Sequence, residues 1–326
     1  MKKKNLIYLI LIILIIAGIF YKKTKDENTI TINIGYQSVT SQTWGALIMK
    51  EQKIFEKKLQ EKFPDKNIKV IWHDEISGAV INTAMISNKM QFGFMGDMPL
   101  LLNMHKASTN EEYDSKLIAF DGKGILGQNQ SIVISSNSKI ENIKDLEGKT
   151  ISTPIGSSAH FMLMKILEKH NLLNKVEIVH QDVAQASQLL STNKTDAFSI
   201  WDPYPLFLKS KITAKRLVDG KESEIDYLAG IMVNNNWAKE NQEIVKLFIE
   251  SLNEAHEYIK NNKEEAAKIF SKESGFEYEI TIQEANNISW ESEILEKDIN
   301  TLEEKKKFLI NLDQISEFSL NQYIYQ

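Results

Sequence analysis

The stretch "NKMQFGFMGDMP", residues 88–99, has a counterpart later in the chain in "NKTDAFSIWDPY", residues 193–204. The two align without gaps, and both begin with Asn-Lys. Each places an acid at the same point, Asp97 in the first and Asp202 in the second, and a proline follows within two residues. A match of this kind at two places in a chain indicates that one structural unit occurs twice.

The hydrophobic pattern around both stretches extends the repeat. The first unit predicts strands at 30–36, 68–72 and 91–95 with helices at 44–59 and 78–87. The second predicts strands at 150–153, 176–179 and 197–201 with helices at 159–170 and 184–191. Each series is βαβαβ, so we expect an α/β fold with two lobes, each a mainly parallel sheet flanked by helices.

The segments between and after the units predict how the lobes are joined. We expect residues 29–119 together with 226–326 to form lobe 1 and residues 120–225 to form lobe 2. The chain would cross between them in the glycine-rich segment 120–130 and again at 218–227. A strand near 228–238 and helices such as 243–260 and 263–270 would return to lobe 1.

Composition excludes several classes of function. The net charge of −5 leaves no basic stripe, so we expect no nucleic-acid partner. The chain has no cysteine, which excludes disulfides, thiolate metal sites, cysteine nucleophiles and lipid attachment through a thiol. We expect neither a metal nor a cofactor. Arg216 is the only arginine, so an anion site would depend on backbone N–H groups, hydroxyls, histidine or lysine.

The first residues predict a membrane segment. Lysines 2–4 precede an apolar run at 6–21, and lysines 22 and 23 follow it. A small-x-small cleavage site is hard to find around Ala17 and Gly18, which favours an uncleaved anchor over a cleaved signal. Residues 1–28 would then form the anchor or signal segment and a tether. We expect the remainder on the extracytoplasmic face, in the periplasm or at the cell exterior.

The topology predicts where a ligand would bind. In open parallel sheets, ligands bind beyond the carboxyl ends of the strands. The loops that leave those ends are 37–43, 73–77, 96–99, 154–158, 180–183 and 201–203, and two facing lobes would bring them to one cleft. The candidate ligand-binding residues are Gln37, Ser41, Thr43, Trp44, Asp74, Gly96, Asp97, Met98, Gly156, Ser157, Ser158, His160, Trp201 and Asp202.

The segment "TPIGSSAHF", residues 153–161, leaves two interpretations open. Gly156 permits close approach of a ligand, and the hydroxyls of Ser157 and Ser158 with the first N–H groups of the helix suit an anion. A plain helix N-cap is the alternative. His160 would add a donor to the anion or pack as an ordinary helix residue.

The remaining candidates also have two interpretations each. Trp44 and Trp201 would wall an apolar substrate chain or pack in a core. Asp97 would accept from a ligand amine or cap the next helix, and capping is favoured for Asp202. Asp74 is followed by a second acid, but no histidine or metal spacing supports catalysis there, so we expect no enzyme.

Four quoted stretches carry a family resemblance: "IGYQ", "WHDEISGAVINTAMISNKMQFGFMGDMPLLL", "DLEGKTISTPIGSSAHFMLMKILEKHNLL" and "IWDPYP". From Ile32 to about Ala267 the chain resembles the nitrate/sulfonate/taurine family of ABC-transporter substrate-binding proteins. The resemblance implies a type II periplasmic-binding fold, a monomer that closes two lobes on a small oxyanion, and delivery to permease subunits with a separate ATPase.

The resemblance leaves the solute open. At Gly96 aliphatic-sulfonate binders typically have Gly-Glu-Thr-Pro and taurine binders Gly-Ser-Ser-Pro, whereas this chain has Gly-Asp-Met-Pro. The alternative is a binder of a thiamine-related pyrimidine or another small heterocycle. The fungal enzyme of this fold that builds that pyrimidine relies on a cysteine-rich iron motif, which this chain lacks.

Overall fold

The computed structural model describes residues 29–211 and 213–325. The membrane helix predicted at 6–21 lies outside these residues. Within the described ranges, no helix is long and apolar enough to cross a membrane.

The chain alternates strands and helices through both units. The strands are β1 (Thr29–Tyr36), β2 (Asn67–Asp74), β3 (Phe92–Gly96), β4 (Ser115–Gly124), β5 (Gln130–Ser135), β6 (Thr150–Thr153), β7 (Glu177–His180), β8 (Ala197–Trp201), β9 (Ala214–Asp219), β10 (Tyr227–Asn234) and β11 (Ser289–Trp290). The helices are α1 (Gly45–Gln52), α2 (Ile54–Lys62), α3 (Gly78–Ile86), α4 (Asp97–Thr109), α5 (Ser158–Lys169), α6 (Ala186–Ser191), α7 (Tyr204–Ser210), α8 (Asn235–Glu240), α9 (Gln242–Asn261), α10 (Lys263–Ser274), α11 (Tyr278–Asn287) and α12 (Glu296–Asn311).

The strands form two sheets that repeat one topology. The first has the order β11-β4-β10-β3-β1-β2 and the second the order β7-β6-β8-β5-β9. In the first, β1 pairs in parallel with β2 and β3; in the second, β6 pairs in parallel with β7 and β8. We use lobe 1 for the first sheet with its packed helices and lobe 2 for the second. The two-lobed α/β fold predicted from the repeat is confirmed.

One antiparallel strand is inserted in each sheet. β10 lies between β3 and β4, and β5 lies between β8 and β9, antiparallel to both neighbours in each case. β5 is the first strand that the chain forms after entering lobe 2, and β10 is the first after its return. Crossing between lobes reverses the chain direction, and this inserts one reversed strand in each sheet. The short edge strand β11 of the first sheet is also antiparallel to its neighbour β4.

The two quoted stretches each begin with the same type of turn. Asn88 and Asn193 both adopt left-handed backbone, with φ of 57° and 52°, a conformation that asparagine tolerates better than most residues. The following lysine N–H donates to a helix carbonyl in each case, from Lys89 to Ala84 at 2.8 Å and from Lys194 to Leu189 at 2.9 Å. The turn then leads into a buried strand, β3 or β8.

Two local predictions require correction. The single helix predicted at 44–59 is divided into α1 and α2, because Lys53 adopts left-handed backbone at φ 51°. The segment 120–130 contains the predicted crossing, at 125–129, but its two ends are strand, because β4 extends to Gly124 and β5 begins at Gln130. Its glycines reflect close packing, since an added Cβ at Gly122 would lie 2.7 Å from the Gln42 carbonyl oxygen and one at Gly124 2.1 Å from that of Gln128.

The two crossings between lobes lie side by side. The turn at Gly127, with φ of 89°, follows β4, and the turn at Gly220 follows β9. A Cβ added to Gly127 would lie 2.3 Å from the Gly220 carbonyl oxygen. Two adjacent backbone crossings of this kind leave rotation of the lobes about them as the natural relative motion.

Candidate functional site

Loops from the carboxyl ends of strands in both lobes meet between the sheets. Ser41, in the 3-10 turn Ser41–Thr43 after β1, donates from its hydroxyl to the Asp202 carbonyl oxygen at 3.2 Å. Ser158, at the start of α5, donates to Asp97 Oδ1 at 2.5 Å. Each contact joins lobe 1 to lobe 2. The structure therefore brings these four predicted residues together at one interface.

Gly156–Ser158, at the N-terminus of α5, form hydrogen bonds with other residues of the chain. Ser157 is the N-cap of α5, and its Oγ accepts from the His160 N–H at 3.2 Å. Gly156, with φ of 81°, donates its N–H to His160 Nδ1 at 3.2 Å. Ser157 thus has the capping role. The negative group that Ser158 contacts is the carboxylate of Asp97.

His160 supplies no positive charge to this helix N-terminus at neutral pH. Its ring packs edge-on against Phe308 with centroids 5.2 Å apart. Burial disfavours the imidazolium ion and lowers the pKa of His160 to about 4. With Nδ1 accepting from Gly156, the ring is a neutral acceptor.

Asp97 is the most heavily partnered acid at the interface. Its side chain is fully buried, forms an ion pair with Lys305 from α12, and accepts the Leu228 N–H at 3.0 Å through Oδ2. Lys305 also donates to the Asp226 carbonyl oxygen at 2.7 Å. Asp97 consequently ties together the end of β3, the start of β10, α12 and, through Ser158, lobe 2.

Asp202, which matches Asp97 in the repeat, forms a carboxyl pair with Glu284 of α11. Asn129 Nδ2 lies 3.5 Å from Asp202 Oδ2 and 3.3 Å from Glu284 Oε2, and thereby bridges them. Burial raises the pKa of Asp202 to about 6, although the nearby Arg216 opposes the shift. Burial, followed by repulsion from Asp202, raises the pKa of Glu284 well above its usual range. The pair joins lobe 2 to lobe 1.

Nine buried side-chain polar atoms have no hydrogen-bond partner among the described residues, and seven of them lie on Asp202, on Glu284 or on residues close to them along the chain, in the sheet or through the Ser41 hydrogen bond. Of these seven, those that donate are Gln42 Nε2, Trp201 Nε1 and Ser131 Oγ; those that accept are Asn129 Oδ1, Gln130 Oε1, Asp202 Oδ1 and Glu284 Oε1. An unpaired buried polar atom costs about 1–3 kcal/mol, and folded proteins contain few of them. A concentration of such atoms between two lobes is the arrangement expected of a site that binds a polar ligand.

A cavity of about 570 Å³ adjoins the carboxyl pair. Both lobes contribute to its lining, which consists of Gln128, Asn129, Asp202, Pro205, Leu206, Lys209, Lys215, Arg216, Asp219, Lys221, Gln283 and Asn287. Four of these side chains are cationic, and Arg216 donates to Asp219 at 2.7 Å. The cavity presents positive groups from β9 and α7 opposite amides of α11.

Tyr227 is close enough to both matched acids for their charges to act on it. Burial, together with the charges of Asp97 and Asp202, raises its pKa well above the usual value. A Cβ added to Gly96 would lie 3.6 Å from Tyr227 Oη and 3.8 Å from Ser158 Oγ. Gly96 is therefore at the interface, as predicted for its loop.

Other predicted residues form hydrogen bonds within lobe 1, around the loop after β1. Gln37 Nε2 donates to the Phe94 carbonyl oxygen at 3.3 Å, and Thr43 Oγ1 donates to the Gln37 carbonyl oxygen at 2.8 Å. Asp74 is exposed and accepts the Ser38 N–H at 2.9 Å. These contacts fix the conformation that presents Ser41.

Trp44 and Met98 lie in the core of lobe 1. Trp44 is fully buried, stacks at a tilt on Phe270 with centroids 4.9 Å apart, and donates its indole N–H to the Ser38 carbonyl oxygen at 2.8 Å. Met98 is also fully buried, in the apolar cluster that contains Leu101. Core packing, the alternative considered for Trp44, describes its position. Trp201 differs, since its indole N–H is among the unpaired atoms.

Sequence reasoning missed part of this interface. The residues not nominated are Gln42, Asn129, Gln130, Ser131, Tyr227 and Glu284. Gln42 lies between two nominated residues, and Asn129 lies in the segment interpreted as a link, so position along the chain offered a signal for both. Glu284 lies on a helix after both repeats, where its sequence context gives no such signal.

Two lobes with one repeated strand order, joined by adjacent crossings and meeting through strand-end loops, define the architecture of a periplasmic-binding-type protein. Comparison with known proteins agrees. Residues 117–266 match the family model described as NMT1/THI5 like. The putative aliphatic sulfonates-binding protein of Bacillus subtilis (strain 168) is 28% identical over 305 residues, which cover 91% of this chain and 86% of that protein.

Solved structures have the same fold. The periplasmic aliphatic sulphonate binding protein SsuA from Escherichia coli superimposes with a TM-score of 0.76 at 18% identity, covering 91% of this chain and 98% of that one. The alkanesulfonate-binding protein SsuA from Xanthomonas axonopodis pv. citri, bound to MOPS, gives a TM-score of 0.75 at 19% identity, covering 90% and 98%. The chain therefore has the fold of these binding proteins, and its sequence is similar to that of the named sulfonate-binding relative.

The fold is not restricted to binding proteins. The desulfurization enzyme DSZB superimposes with a TM-score of 0.64 at 13% identity, covering 90% of this chain and 96% of that enzyme. The curated relative described above is named as a binding protein. The fold alone therefore does not distinguish a receptor from an enzyme. That distinction depends on the chemistry of the interface between the lobes.

Proposed function

We propose that the chain is the extracytoplasmic solute-binding component of an ABC importer, and that it closes two lobes on a small oxyanion such as an aliphatic sulfonate, taurine or nitrate. The observation that carries this proposal is the concentration of unpaired buried polar atoms where strand-end loops of both lobes meet. Named sulfonate binders among the relatives support it over the binding of a thiamine-related pyrimidine.

The binding mechanism follows from which groups remain unpaired. Gln42 Nε2, Trp201 Nε1 and Ser131 Oγ can donate to the oxygens of an anion. Gln42 belongs to lobe 1, whereas Trp201 and Ser131 belong to lobe 2. A solute that engages both sets is bound more tightly by the closed form, and it shifts the lobes toward closure by that difference in affinity.

The binding free energy that such a solute receptor requires is modest. Micromolar affinity corresponds to about −8 kcal/mol. Hydrogen bonds to a charged group contribute about 1.5–3 kcal/mol each, so a few of them with burial of a short alkyl chain offset the cost of binding. Entry of the solute requires the contacts Ser41–Asp202 and Ser158–Asp97 to open and then to form again.

The proposal extends to location and partners. Lobe 1 would comprise residues 29–119 and 226–326, and lobe 2 residues 120–225. The apolar run at 6–21 would anchor a monomer to the membrane with both lobes on the extracytoplasmic face. Permease subunits with a separate ATPase would receive the solute from the closed form. The chain would catalyse no reaction.

The test measures lobe closure. Small-angle scattering of the purified protein, with and without ethanesulfonate, taurine, nitrate and a pyrimidine, should give a smaller radius of gyration with at least one oxyanion. A thermal-shift screen of the same solutes should give a higher melting temperature for that solute. Compaction with the pyrimidine alone would favour the heterocycle alternative. The absence of any compaction, or turnover of a bound sulfonate, would contradict the proposal.

A further inference from the structure

We propose that the solute carries a protonated amine beside its acidic group, and that Asp202 and Glu284 bind the amine. This inference rests on the proposed function, because it specifies the solute of the same interlobe site. It distinguishes amino-sulfonates and amino-acid-like zwitterions from simple alkanesulfonates and inorganic oxyanions.

The two carboxyl groups form a shared acidic site between the lobes. Asp202 follows β8 in lobe 2, and Glu284 projects from α11 of lobe 1. Asp202 is 3% exposed and Glu284 is fully buried, and Asn129 Nδ2 lies within 3.5 Å of both. Two carboxyl groups so placed, with the Asn129 amide between them and the Ser41 hydroxyl beside Glu284, require a positive group or a proton.

Of the four cationic side chains that line the adjoining cavity, Arg216 is the one whose charge acts on this pair. The Arg216 guanidinium lies 3.9 Å from Asp202 Oδ1 and donates directly to Asp219 at 2.7 Å. Glu284 forms no ion pair within the described ranges 29–211 and 213–325. Asp219 and Tyr227, which also face Asp202, add no cation. A ligand ammonium group would supply the missing counter-charge.

The unpaired atoms match the two ends of a zwitterion. Near the carboxyl pair, the described acceptors without a hydrogen-bond partner are Asn129 Oδ1, Gln130 Oε1, Asp202 Oδ1 and Glu284 Oε1; two others, on Glu56 and Asp298, lie elsewhere in lobe 1. An ammonium group has three N–H donors for such acceptors. Gln42 Nε2, Trp201 Nε1 and Ser131 Oγ remain to donate to the acidic group. A simple alkanesulfonate satisfies only this second set.

The same arrangement couples amine binding to protons. Without a cation, the buried pair retains protons to a higher pH than exposed carboxyl groups do. An ammonium group between the carboxyl groups favours their ionised forms, so binding releases protons into solution. An amine-free sulfonate lacks this effect.

The experiment compares matched solutes on the full-length protein in detergent. The pairs are taurine with ethanesulfonate, 3-aminopropanesulfonate with propanesulfonate, and β-alanine with propionate. In at least one pair the amine-bearing member should bind about tenfold tighter or more, as expected for charge-assisted hydrogen bonds. Calorimetry in buffers of different ionisation enthalpy should show proton release for that member alone.

The negative outcomes separate this inference from the receptor proposal. If every amine-free member binds as tightly as its partner, or if no pair binds, the amine preference is overturned. Compaction of the lobes with an amine-free anion would then leave the receptor function standing. Failure of every solute to compact the lobes would overturn both.

Variants assign the effect to the two carboxyl groups. Asp202→Asn and Glu284→Gln should each reduce the ratio of affinities for the amine-bearing and amine-free members by about tenfold. Glu147→Gln, at an exposed glutamate that pairs with Lys175 in lobe 2, is the control and should preserve the preference. Full preference in both carboxyl variants would overturn the assignment, and the matched-solute comparison on the unaltered protein holds even if a variant fails to fold.

Discussion

The Ser158 hydroxyl in lobe 2 donates a hydrogen bond of 2.5 Å to the Asp97 carboxylate in lobe 1. A negative charge from one lobe thus lies at the N-terminus of a helix in the other, where the helix dipole and free N–H groups favour it. The contact exists only when the lobes are together. Asp97 therefore stabilises closure with the type of interaction predicted for a bound anion.

Replacing Ser158 by alanine should favour the open form. The variant loses the interlobe hydrogen bond, while Lys305 and the Leu228 N–H still satisfy Asp97. We expect the balance between closed and open forms to shift by about 1–2 kcal/mol, visible as a larger radius of gyration in small-angle scattering. Ser157→Ala is the matched control, since it removes only the N-cap bond to His160 and should lower stability by about 1 kcal/mol without opening the lobes. Equal radii for the two variants would contradict the role of Ser158.

Breaking the ion pair between Lys305 and Asp97 should strongly destabilise the folded protein. Both side chains are almost fully buried, so Lys305→Met leaves the Asp97 charge without its cation. We expect the free energy of unfolding in urea to fall by about 3–5 kcal/mol. The control is Lys268→Met, where an exposed, solvent-screened pair with Glu265 is lost and the expected change in the free energy of unfolding is much smaller. A loss at Lys305 as small as that at Lys268 would contradict the prediction.

His160 should make the protein less stable in acid. Its folded pKa of about 4 lies below the usual 6.5, so the unfolded chain binds more protons between these values. Stability from neutral His160 is present above pH 6.5 and is lost as pH falls toward 4, by up to about 3 kcal/mol. Urea unfolding of the unaltered protein and of His160→Gln should show stabilities that converge as pH decreases from 7 to 4.5. A constant difference across this range would exclude the effect.

Asp202 should have the opposite effect to His160 on the pH dependence of stability. Its folded pKa of about 6 lies above the usual 3.8, so the folded protein binds more protons between these values. The cost of burying its charge is present above pH 6 and disappears as pH falls toward 4. Relative to Asp202→Asn, the unaltered protein should therefore gain stability as pH decreases from 7 to 4.5 in urea unfolding.

Asp65→Asn provides the control for this titration. Asp65 is exposed in the turn before β2, so the comparison separates the loss of a buried carboxylate from the loss of a surface one. If Asp202→Asn and Asp65→Asn gave the same pH profile, burial of the Asp202 charge would not contribute to stability.

Local pattern predicted the repeated framework well. The alternation of apolar residues located β1 and β6 within two residues, and the Asn-Lys dipeptides mark two equivalent turns at Asn88 and Asn193. The loops after β1, β3, β6 and β8 were expected to meet, and Ser41–Asp202 and Ser158–Asp97 join them. Such predictions succeed because side-chain periodicity and turn conformation depend on neighbouring residues.

The helix break at Lys53 and the strand character at both ends of 120–130 were not predicted. Residues 44–59 keep a helical spacing of apolar residues through Lys53, so nothing in the pattern marks the left-handed residue. The glycines of 120–130 suggested a link, yet they permit backbones to pack against each other. In both cases contacts with distant segments outweigh the local preference.

The sequence by itself determined that two α/β units repeat and that their strand-end loops carry polar residues. Only the tertiary structure decided which groups meet there: Glu284 with Asp202, Lys305 with Asp97, and Trp44 with the core aromatics. These partners are 82, 208 and 226 residues apart for the pairs Asp202–Glu284, Asp97–Lys305 and Trp44–Phe270. Their encounter depends on how helices α10 to α12 pack on lobe 1, which is the sum of many weak contacts and leaves no periodic trace in the chain.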